Sequence, residues 1–516
     1  MAVFLSVSWD DTKKRRRTIA LLVAALLLVT TPALAEGTEP APPSPLVSVI
    51  VESAAAGVLE EVRGAVYDAG GSVDRDLTLI DGLAVTLPAD AVESLRSRQD
   101  VRAVTEDRAV RLNSTSEDYD AASDAGSMST TDRVVGARDL WSSGLTGSGV
   151  DVALIDSGVV AVNGLTAAGK VVHGPDLSVE NDDDARRNLD TFGHGTHMAG
   201  VIAGRDDAVA SDADRRDPAN FVGVAPDARI VSVKVADAQG NTSLSRVLEA
   251  IEWIVRHRAD GDLNIRVLNL SLSVELWGDC RIDLLAHAVS RAWDAGIVVV
   301  VAAGNRGAGS GHLDSPACAP QVIAVGADDP LGTTTVDDDV VPEWSSSGDG
   351  TRNPDVIAPG RSIASLRDPG SYIDLYYPAG RVGDRGSERF FRGSGTSPAT
   401  AVVSGAAALL LQQRPDLTPD NVKYLLTSTA NAVPGASATR QGAGLIDLRA
   451  ASGAAAGGGS PFGLDVGSWA AEPDPSTTQP PDTSVDAWAG NSWSGDTWAG
   501  NSWSGNSWSF NEEDGS

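Results

Sequence analysis

Four short segments of the chain carry side chains that together can perform acyl transfer. They are VALIDSGV around Asp156, GHGTHMAG around His194, VVVVAAGN ending at Asn305, and GSGTSPATA around Ser397. A serine hydroxyl can attack a carbonyl carbon, and a histidine can take and return its proton. An aspartate can hold the imidazole tautomer, and an amide can donate a hydrogen bond to the oxyanion. The four segments therefore supply every group that this chemistry needs.

Two of these side chains follow predicted buried strands. The apolar run 150–155 is typical of a buried parallel strand, and Asp156 comes directly after it. A second apolar run, 297–302, is followed by Gly304 and Asn305, and the glycine lets the chain turn the amide toward the same crevice. Because open α/β sheets place their chemistry at the carboxyl ends of the strands, we expect Asp156 and Asn305 at one edge.

The other two side chains stand where helices are predicted to begin. The small residues of 194–200 indicate a helix whose first turn lies close to the sheet and projects His194, while His197 is assigned a structural role. Ser397 precedes the alanine-rich segment 398–411, which predicts a helix with the serine at its N-terminus. The backbone N–H and the helix dipole would both favour a developing negative charge there.

Over 140–451 the chain resembles the subtilase family, the subtilisin-like serine peptidases. Four further segments are similar to family patterns: GVAP at 223–226, the run 234–240, the substrate-edge strand 267–273, and DVIAPG at 355–360. The resemblance implies that Asp156, His194 and Ser397 form a catalytic triad and that Asn305 is the oxyanion donor. It also implies hydrolysis of peptide bonds in protein or peptide substrates through an acyl-enzyme, with no cofactor required.

The nucleophile segment departs from the family pattern. That pattern usually reads GTSMAAP or GTSMATP, whereas here Pro398 follows Ser397 and Ala401 stands where the later proline would be. Proline lacks an N–H, but in a first helical turn this N–H has no helical partner, so we expect activity to survive. Ser273 replaces a glycine usual in the substrate-edge strand, which would crowd one wall of the S1 pocket.

The resemblance also implies a set of substrate contacts. They are Ser271, Leu272, Ser273, Ala303, Gly304 and Asp314. Asp314 is expected near the base of S1, where a free carboxylate would favour Arg or Lys at P1. If Arg306 folds over and pairs with Asp314, the pocket is neutralised, and an exposed loop carboxylate is the third possibility.

The first 35 residues have the three parts of a signal peptide. Basic residues at 13–17 precede an apolar run, 19–29, and the sequence ALA at 33–35 predicts cleavage before Glu36. The apolar run is short for a membrane span, and no other segment approaches twenty apolar residues. We therefore expect a secreted, extracellular protein, soluble or bound peripherally at the cell surface.

A small α+β unit is predicted after a proline-rich spacer, 36–45. Residues 46–112 show the order strand, helix, strand, strand, helix, strand, which resembles the ferredoxin-like propeptide inhibitor domain of subtilases. Such a domain would cover the active-site cleft, so the chain's own propeptide is an expected partner. The polar stretch 113–131 is the expected site of self-cleavage. A small domain with some other partner is the alternative, because this fold hosts many functions.

The predicted peptidase domain, 132–455, alternates strands with helices, including helices at 245–258, 282–295 and 418–430. This alternation predicts an α/β fold with a mostly parallel sheet sandwiched by helices. The chain has two cysteines, Cys280 and Cys318, and export would allow them to form a disulfide that stiffens both sides of S1. Two free buried thiols are the alternative, since their spacing is not of a metal-binding type.

The net charge is −30, which argues against nucleic acid as a partner because no basic patch remains beyond the leader. The acidic loops 180–184 and 206–217 could hold structural calcium, which needs several oxygen ligands. They also contain arginines, so we favour solvated mixed-charge loops. No metal ligand is assigned.

A linker, 456–487, leads into a tail, 488–516, with one tryptophan every five residues in WAGNSWSG-like repeats. This spacing fits neither a helix stripe nor a strand face. The low-complexity tail could be disordered, stack on cell-wall polysaccharide, or pair with like repeats on another protein; we favour disorder in isolation, with surface attachment as its purpose.

The sequence therefore predicts a monomeric secreted serine endopeptidase, made as an autoinhibited zymogen. One alternative is a catalytically silent protein that binds a cell surface or polysaccharide through the tryptophan repeats. Another is a peptide ligase that passes the same acyl-enzyme to an amine.

Overall fold

The computed structural model describes residues 44–107, 109–110, 121–274, 276, 279–382 and 388–457. The predicted leader (1–35), most of the spacer, the first part of the cleavable linker and the tryptophan tail lie outside the described residues. The elements below belong to the compact unit Leu46–Ser516.

The N-terminal α+β domain has the predicted order of strands and helices. Its elements are β1 (Leu46–Ser53), α1 (Leu59–Asp68), β2 (Ser72–Leu77), β3 (Gly82–Pro88), α2 (Val92–Arg96) and β4 (Val101–Glu106). The four strands form an antiparallel sheet in the order β2-β3-β1-β4. Its own apolar core lies between this sheet and the two helices. The short strand β5 (Ala109–Val110) then leaves the sheet.

The remainder of the described chain alternates strands and helices. In chain order the elements are α3 (Met128–Val134), α4 (Ala137–Trp141), β6 (Asp151–Asp156), β7 (Val171–Asp176), α5 (His194–Ala203), α6 (Asp212–Arg216), β8 (Arg229–Lys234), β9 (Thr242–Ser243), α7 (Leu244–His257), β10 (Ile265–Leu270), α8 (Leu284–Asp294), β11 (Val298–Ala302), β12 (Ile323–Asp328), β13 (Val356–Pro359), β14 (Ile363–Leu366), α9 (Tyr372–Tyr376), β15 (Arg381–Val382), β16 (Phe390–Gly393), α10 (Thr396–Gln413), α11 (Pro419–Ser428), α12 (Ala438–Gln441) and α13 (Leu448–Gly453).

A seven-stranded sheet forms the centre, in the order β13-β12-β11-β10-β6-β8-β7. All its pairings are parallel. Strands buried on both faces need continuous apolar runs, and β6 and β11 are buried at every residue. The predicted α/β class with a mostly parallel sheet is therefore confirmed.

Helix α10 runs through the core and carries Ser397 in its first turn. It packs against β10, β11, β12 and α5. Every residue from Thr396 to Leu411 is buried, which fits its alanine-rich and leucine-rich composition, because a helix that is apolar all round has no solvent face. The nucleophile segment is thus anchored by the centre of the domain.

The stretch predicted as an exposed cleavable linker, 113–131, is folded at its C-terminal end. Gly126 and Met128 are buried, and Ser127 bridges to Ala364 next to strand β14. A Cβ at Gly126 would lie 1.8 Å from the carbonyl oxygen of Ser362, so the backbones approach closely there. The peptidase domain therefore begins before residue 132, and the exposed part of the linker ends before Gly126.

Candidate active site

Asp156 and His194 form the best defined pair of the site. Asp156 ends strand β6, and His194 begins helix α5. Nδ1 of His194 lies 2.9 and 3.0 Å from the two carboxylate oxygens of Asp156, and both side chains are buried. Nε2 of the same ring has no hydrogen-bond partner among the described residues. The carboxylate therefore fixes the ring so that Nε2 remains able to accept a proton.

Ser397 forms two hydrogen bonds with Ser271. Its hydroxyl donates to the carbonyl oxygen of Ser271 at 3.0 Å, and the hydroxyl of Ser271 donates to the carbonyl oxygen of Ser397 at 3.1 Å. Ser397 thus makes no hydrogen bond to Nε2 of His194 here. Catalytic hydrogen bonds are often loose in an unliganded enzyme and tighten with substrate, so this geometry is compatible with a serine nucleophile.

The amide of Asn305 is oriented by the residue that precedes Ser397. The Oδ1 atom of Asn305 accepts from the backbone N–H of Thr396 at 2.9 Å and from its hydroxyl at 3.0 Å. The same hydroxyl accepts from the N–H of Gly304 at 3.3 Å. With Oδ1 held, the Nδ2 atom turns toward Gly395, where a Cβ would lie 3.4 Å away. The donor end of the amide is therefore directed at the nucleophile turn.

The predicted substrate-edge residues lie beside the nucleophile. Ser271 and Leu272 follow β10 and are buried, while Ser273 is half-buried. Ala303 continues β11 through its N–H, which donates to Val325 at 2.9 Å. The structure thus brings these residues to the carboxyl edge of the sheet, the edge at which Asp156 ends β6.

Asp314 is buried near Gly304 and paired with Arg306. Its Oδ2 atom would lie 3.0 Å from a Cβ at Gly304, whereas its Oδ1 atom is 3.5 Å from Nη1 of Arg306. The carboxylate is 3% exposed, so the solvated-loop interpretation is wrong. Of the three sequence-based alternatives, the one in which Arg306 folds over Asp314 describes the structure.

A further carboxylate, Asp190, organises the histidine helix, and the sequence analysis missed it. It accepts from the N–H groups of Gly193 and Thr196, each at 2.7 Å, and from the hydroxyl of Ser157 at 2.7 Å. Burial raises the pKa of Asp190, while these donors oppose the shift. Asp190 therefore satisfies N–H groups at the start of α5 and steadies His194. The signal in the sequence was an Asp four residues before His194.

A buried ion pair lies beneath Asp156 and was also missed. Nζ of Lys234, at the end of β8, is 3.0 Å from Oε2 of Glu180 and donates to the carbonyl oxygens of Ser157 and Leu189 at 2.9 and 2.7 Å. A lysine at the end of a buried strand was the available signal, because buried charges require partners.

Two other sequence expectations concern residues close in sequence to His194 and Ser397. Nε2 of His197 lies 3.1 and 3.0 Å from the carbonyl oxygens of Ile363 and Phe391, and burial lowers its pKa to about 4. A neutral, buried ring of this kind has a structural role. Pro398 lies in the first turn of α10, where a missing N–H removes no intrahelical hydrogen bond.

Cys280 and Cys318 are joined in a disulfide, and the structure contains no free cysteine among the described residues. The bond links the segment after β10 to the segment after Asn305. Ser315, between these points, is further tied to Val274 through a pair of backbone hydrogen bonds of 2.8 and 2.9 Å. Both sides of the predicted S1 pocket are therefore connected covalently.

The acidic loops suggested for calcium are partly buried in ion pairs. Glu180 binds Lys234, and Asp206 binds Arg389. These two carboxylates are about 6% exposed, so the expectation of solvated loops is wrong for them. Within the described ranges, no group of three or more carboxylate, histidine or cysteine side chains is arranged to hold a metal ion.

The N-terminal domain contacts strand β9 and helix α7 of the peptidase domain. Its strand β5 pairs antiparallel with β9, Val110 opposite Thr242. Asp107 accepts from the N–H of Ser245 at 3.0 Å in the first turn of α7. Nε of Arg75 is 3.2 Å from Glu249 on the same helix. These contacts place the end of the domain along an edge of the peptidase domain.

Apolar and hydrogen-bonding contacts complete this interface. Leu77 and Ile80 of the N-terminal domain join the apolar core of the peptidase domain. The hydroxyl of Thr78 donates to Glu252 of α7. No helix of the described part of the chain is both long enough and apolar enough to cross a membrane.

Two family models match the chain. Residues 147–444 match the subtilase family, and residues 28–107 match a peptidase inhibitor domain. The first match covers all four residues identified from the motifs.

Named relatives and a solved structure agree with these matches. The chain is 39% identical to serine protease AprX of Bacillus subtilis over 309 residues, which are 59% of this chain and 66% of AprX. It is 31% identical to subtilisin E of the same species over 75% of this chain and 85% of that protein. The crystal structure of fervidolysin from Fervidobacterium pennivorans, a keratinolytic enzyme related to subtilisin, has a TM-score of 0.62, with 23% identity over 82% of this chain and 63% of that one. At this identity the structural likeness concerns the fold alone.

Proposed function

This chain belongs to the subtilase family and is a subtilisin-like serine endopeptidase, and from that premise we propose that Asp156, His194 and Ser397 act as its triad. The observation that carries the proposal is the orientation of His194. Its Nδ1 atom is held by both oxygens of Asp156, and its Nε2 atom is left without a partner among the described residues. A general base of a triad needs one ring nitrogen held by the carboxylate and the other free to accept the proton.

The reaction would begin when Ser397 leaves its resting hydrogen bond to Ser271. Rotation about the Cα–Cβ bond turns the hydroxyl toward Nε2 of His194, which takes the proton as Oγ attacks the carbonyl carbon of the scissile bond. His194 then returns this proton to the leaving amine, and water enters by the same route to release the acyl group.

The negative charge of the tetrahedral intermediate would meet two donors. One is Nδ2 of Asn305, and the other is the backbone N–H of Ser397 in the first turn of α10, where N–H groups lack intrahelical acceptors. The positive end of the helix dipole adds to this stabilisation. Donors fixed before the reaction lower the barrier because they need no reorganisation as charge develops.

The N-terminal domain would act as an inhibitor until it is cut away. Strand β5 pairs with the edge strand β9. A polypeptide that continued from Val110 in the same direction would run along this edge toward Gly240, which contacts Phe192 near His194. A substrate that uses the same edge cannot bind while β5 is there. The bonds open to self-cleavage would lie between Val110 and Gly126, because Gly126, Ser127 and Met128 are buried.

Export and surface attachment complete the proposal. The basic, apolar and small-residue parts of 1–35 support secretion, and the tryptophan repeats of 488–516 support stacking on cell-wall polysaccharide. Co-sedimentation of the secreted protein with purified cell walls tests the second point. Recovery of the protein entirely in the supernatant would contradict it.

The test of catalysis uses residues 36–516 as wild type and as Ser397→Ala. A fluorophosphonate probe should label the wild type at Ser397 and leave the variant unlabelled. Intact mass over time should show a cut between 110 and 126 in the wild type alone, followed by digestion of casein. An unlabelled wild type that remains whole under folding conditions would refute the proposal.

A further inference from the structure

A surface cleft of about 360 Å³ lies at the amino ends of strands β10 and β11, on the edge of the sheet opposite the candidate active site. Its floor is formed by buried apolar residues, among them Ile265, Leu417 and Pro419, and two arginines stand beside this floor, Arg258 and Arg266. We call this feature the amino-edge cleft. The six residues of β10 separate it from the segment that carries Ser271, by about 20 Å of extended chain.

The two arginines make the amino-edge cleft basic. Arg258 is exposed and donates to one backbone carbonyl oxygen at 2.7 Å, and the half-buried Arg266 donates to two, at 2.8 and 2.9 Å. These acceptors are neutral, and neither arginine forms an ion pair with a carboxylate in the part of the chain that the structure describes. Burial lowers the pKa of Arg266, and the charge of Asp416 only partly opposes this shift. A carboxylate in the cleft would therefore supply a charge-assisted hydrogen bond that these guanidiniums lack.

The described chain ends beside this cleft. The Oδ1 atom of Asn421 accepts from the backbone N–H of Thr418, which lines the cleft, at 3.0 Å. The Nδ2 atom of the same side chain donates to the carbonyl oxygen of Gly457 at 2.9 Å. A Cβ at Gly457 would lie 2.5 Å from the ring of Tyr424, so this glycine lies close against helix α11. A single side-chain amide thus connects the last described residue to the cleft.

The sequence that follows Gly457 has side chains of the kind that the cleft would bind. Gly458, Gly459 and Ser460 lead into PFGLDV at 461–466, which combines two large apolar side chains with the first acidic residue after Gly457, Asp465. Glycines let a chain turn sharply, and eight residues from Gly457 to Asp465 reach at most about 26–29 Å. The segment is therefore long enough to enter a cleft that begins one side chain away.

The charge of the segment is also complementary to that of the cleft. Residues 458–516 contain nine acidic residues and no Lys or Arg. We propose that 461–466 docks in the amino-edge cleft, with Asp465 paired to Arg258 and with Phe462 and Leu464 against the apolar floor. The docked segment fixes the point at which the tail leaves the peptidase domain. Because that point lies on the edge opposite Ser271, a tail attached to a surface leaves the candidate active site facing away from the attachment.

Hydrogen–deuterium exchange of residues 36–516 tests the docking, with Ser397→Ala in every protein to prevent self-digestion. The measured quantity is the exchange rate of the backbone amides in 258–266 and 417–421, the segments that line the cleft. In the double variant Phe462→Ser/Leu464→Ser this rate should rise several-fold, because the segment no longer covers these amides. The matched control Phe510→Ser removes an aromatic side chain near the end of the tail and should leave the rate unchanged.

A synthetic peptide of residues 458–470 tests the same contact in trans. Added to the double variant, it should restore slow exchange in the two cleft segments. Arg258→Gln in the protein, or Asp465→Asn in the peptide, should weaken its binding up to about fivefold, which corresponds to about 1 kcal/mol for an exposed ion pair.

Three results would overturn the inference. One is an unchanged exchange rate in the double variant, and another is an equal rise in Phe510→Ser. The third is protection that persists in the double variant and disappears on dilution, which would assign the cleft to a second copy of the chain. None of these results depends on catalysis, since every protein compared lacks the hydroxyl of Ser397.

Discussion

At the level of single residues, the hydrogen bonds around Asn305 decide which of its amide atoms faces the cleft. The hydroxyl of Thr396 accepts from Gly304 and donates to Oδ1, which leaves Nδ2 for the oxyanion. Thr396 is therefore a positioning residue that acts through Asn305. Its contribution should appear in the rate of the chemical step and not in substrate binding.

We predict that Thr396→Val lowers kcat about fivefold with little change in KM, because one orienting hydrogen bond is worth about 1 kcal/mol. Asn305→Ala should cost about 100-fold to 1,000-fold in kcat, as removal of a whole oxyanion donor does. Steady-state kinetics on a chromogenic peptide measure both. Thr396→Ser keeps the hydroxyl and serves as control; a raised KM with normal kcat in Thr396→Val would contradict the positioning role.

The pair formed by Arg306 and Asp314 leads to a prediction for P1 preference. In the wild type the arginine offsets the buried carboxylate, so Arg and Lys at P1 should not be strongly favoured. Arg306→Gln removes the cation and should raise kcat/KM for P1 Lys several-fold relative to P1 Leu. A peptide library with varied P1 measures this ratio. Asp314→Asn in the same background should abolish the gain, and a gain that persists would show that Asp314 does not line the pocket.

The sequence identified the residues of the candidate site but not the residues that support them. Asp156, His194, Asn305 and Ser397 were assigned from the types and order of their motifs, and their catalytic roles stay a prediction. Asp190 and the pair of Lys234 with Glu180 act through contacts between segments distant in sequence, which only the fold brings together. Their roles depend on tertiary geometry, and no local pattern specifies it.

At the level of elements, the segment before α9 carries an unusual acid. Burial raises the pKa of Asp368 to about 8, and the charges of Asp190 and Asp374 add to the shift. At a pH below the pKa of this carboxyl in the unfolded chain, the carboxyl is protonated in both states and costs the folded protein no stability. As the pH rises from about 4 to about 8, the carboxyl ionises in the unfolded chain only, which lowers the free energy of unfolding.

We therefore predict that Asp368→Asn stabilises the protein at neutral and alkaline pH. The gain in melting temperature over the parent should be small near pH 4, grow up to about pH 8 and stay constant above it. Scanning fluorimetry across this range measures it, with Ser397→Ala in both proteins to prevent self-digestion. A gain that is independent of pH would show that the carboxyl is ionised in the folded protein.

The disulfide joins two elements on either side of the cleft, and its removal should be costly. Its cysteines are 38 positions apart, and the chain-entropy treatment gives about 3–4 kcal/mol for a loop of this length. The variant Cys280→Ser/Cys318→Ser should lose about 2–4 kcal/mol of unfolding free energy in urea, in the Ser397→Ala background. Reductant should destabilise the parent similarly and leave the variant unaffected; equal sensitivity of the two would contradict the prediction.

The sequence predicted the bounds of helices with a clear hydrophobic periodicity well. It predicted strands poorly where the chain changes from one pairing strand to another. Helix α7 was expected at 245–258 and is found at Leu244–His257. The last strand of the N-terminal domain was expected to run to 112, but it leaves β1 after Glu106, and Ala109–Val110 pairs with β9 instead. A strand pattern indicates burial and alternation but does not name the partner. Helix α9 was not foreseen, because its docking depends on Thr191 and Phe192.

On the scale of the whole molecule, the N-terminal domain docks against the peptidase domain where strand β5 pairs with strand β9. The order of domains and the α/β class followed from composition and alternation, whereas the docking surface required the structure. At this interface, charged residues distant in sequence form ion pairs, such as that between Arg75 and Glu249. Under the proposed function the N-terminal domain occupies the edge that a substrate would use, so the strength of its docking should control the activity of the processed protein.

A charge swap across this interface tests that control. Arg75→Glu and Glu249→Arg should each weaken docking through repulsion and raise the initial activity of freshly processed protein a few-fold, since half-exposed pairs are worth up to about 1 kcal/mol. The double variant restores opposite charges and should return activity toward the wild type, a coupling that single changes cannot produce. Cleavage of a short peptide before and after brief heating, which releases the bound domain, gives the inhibited fraction. If the two single effects simply add in the double variant, these residues do not meet when the N-terminal domain inhibits the enzyme.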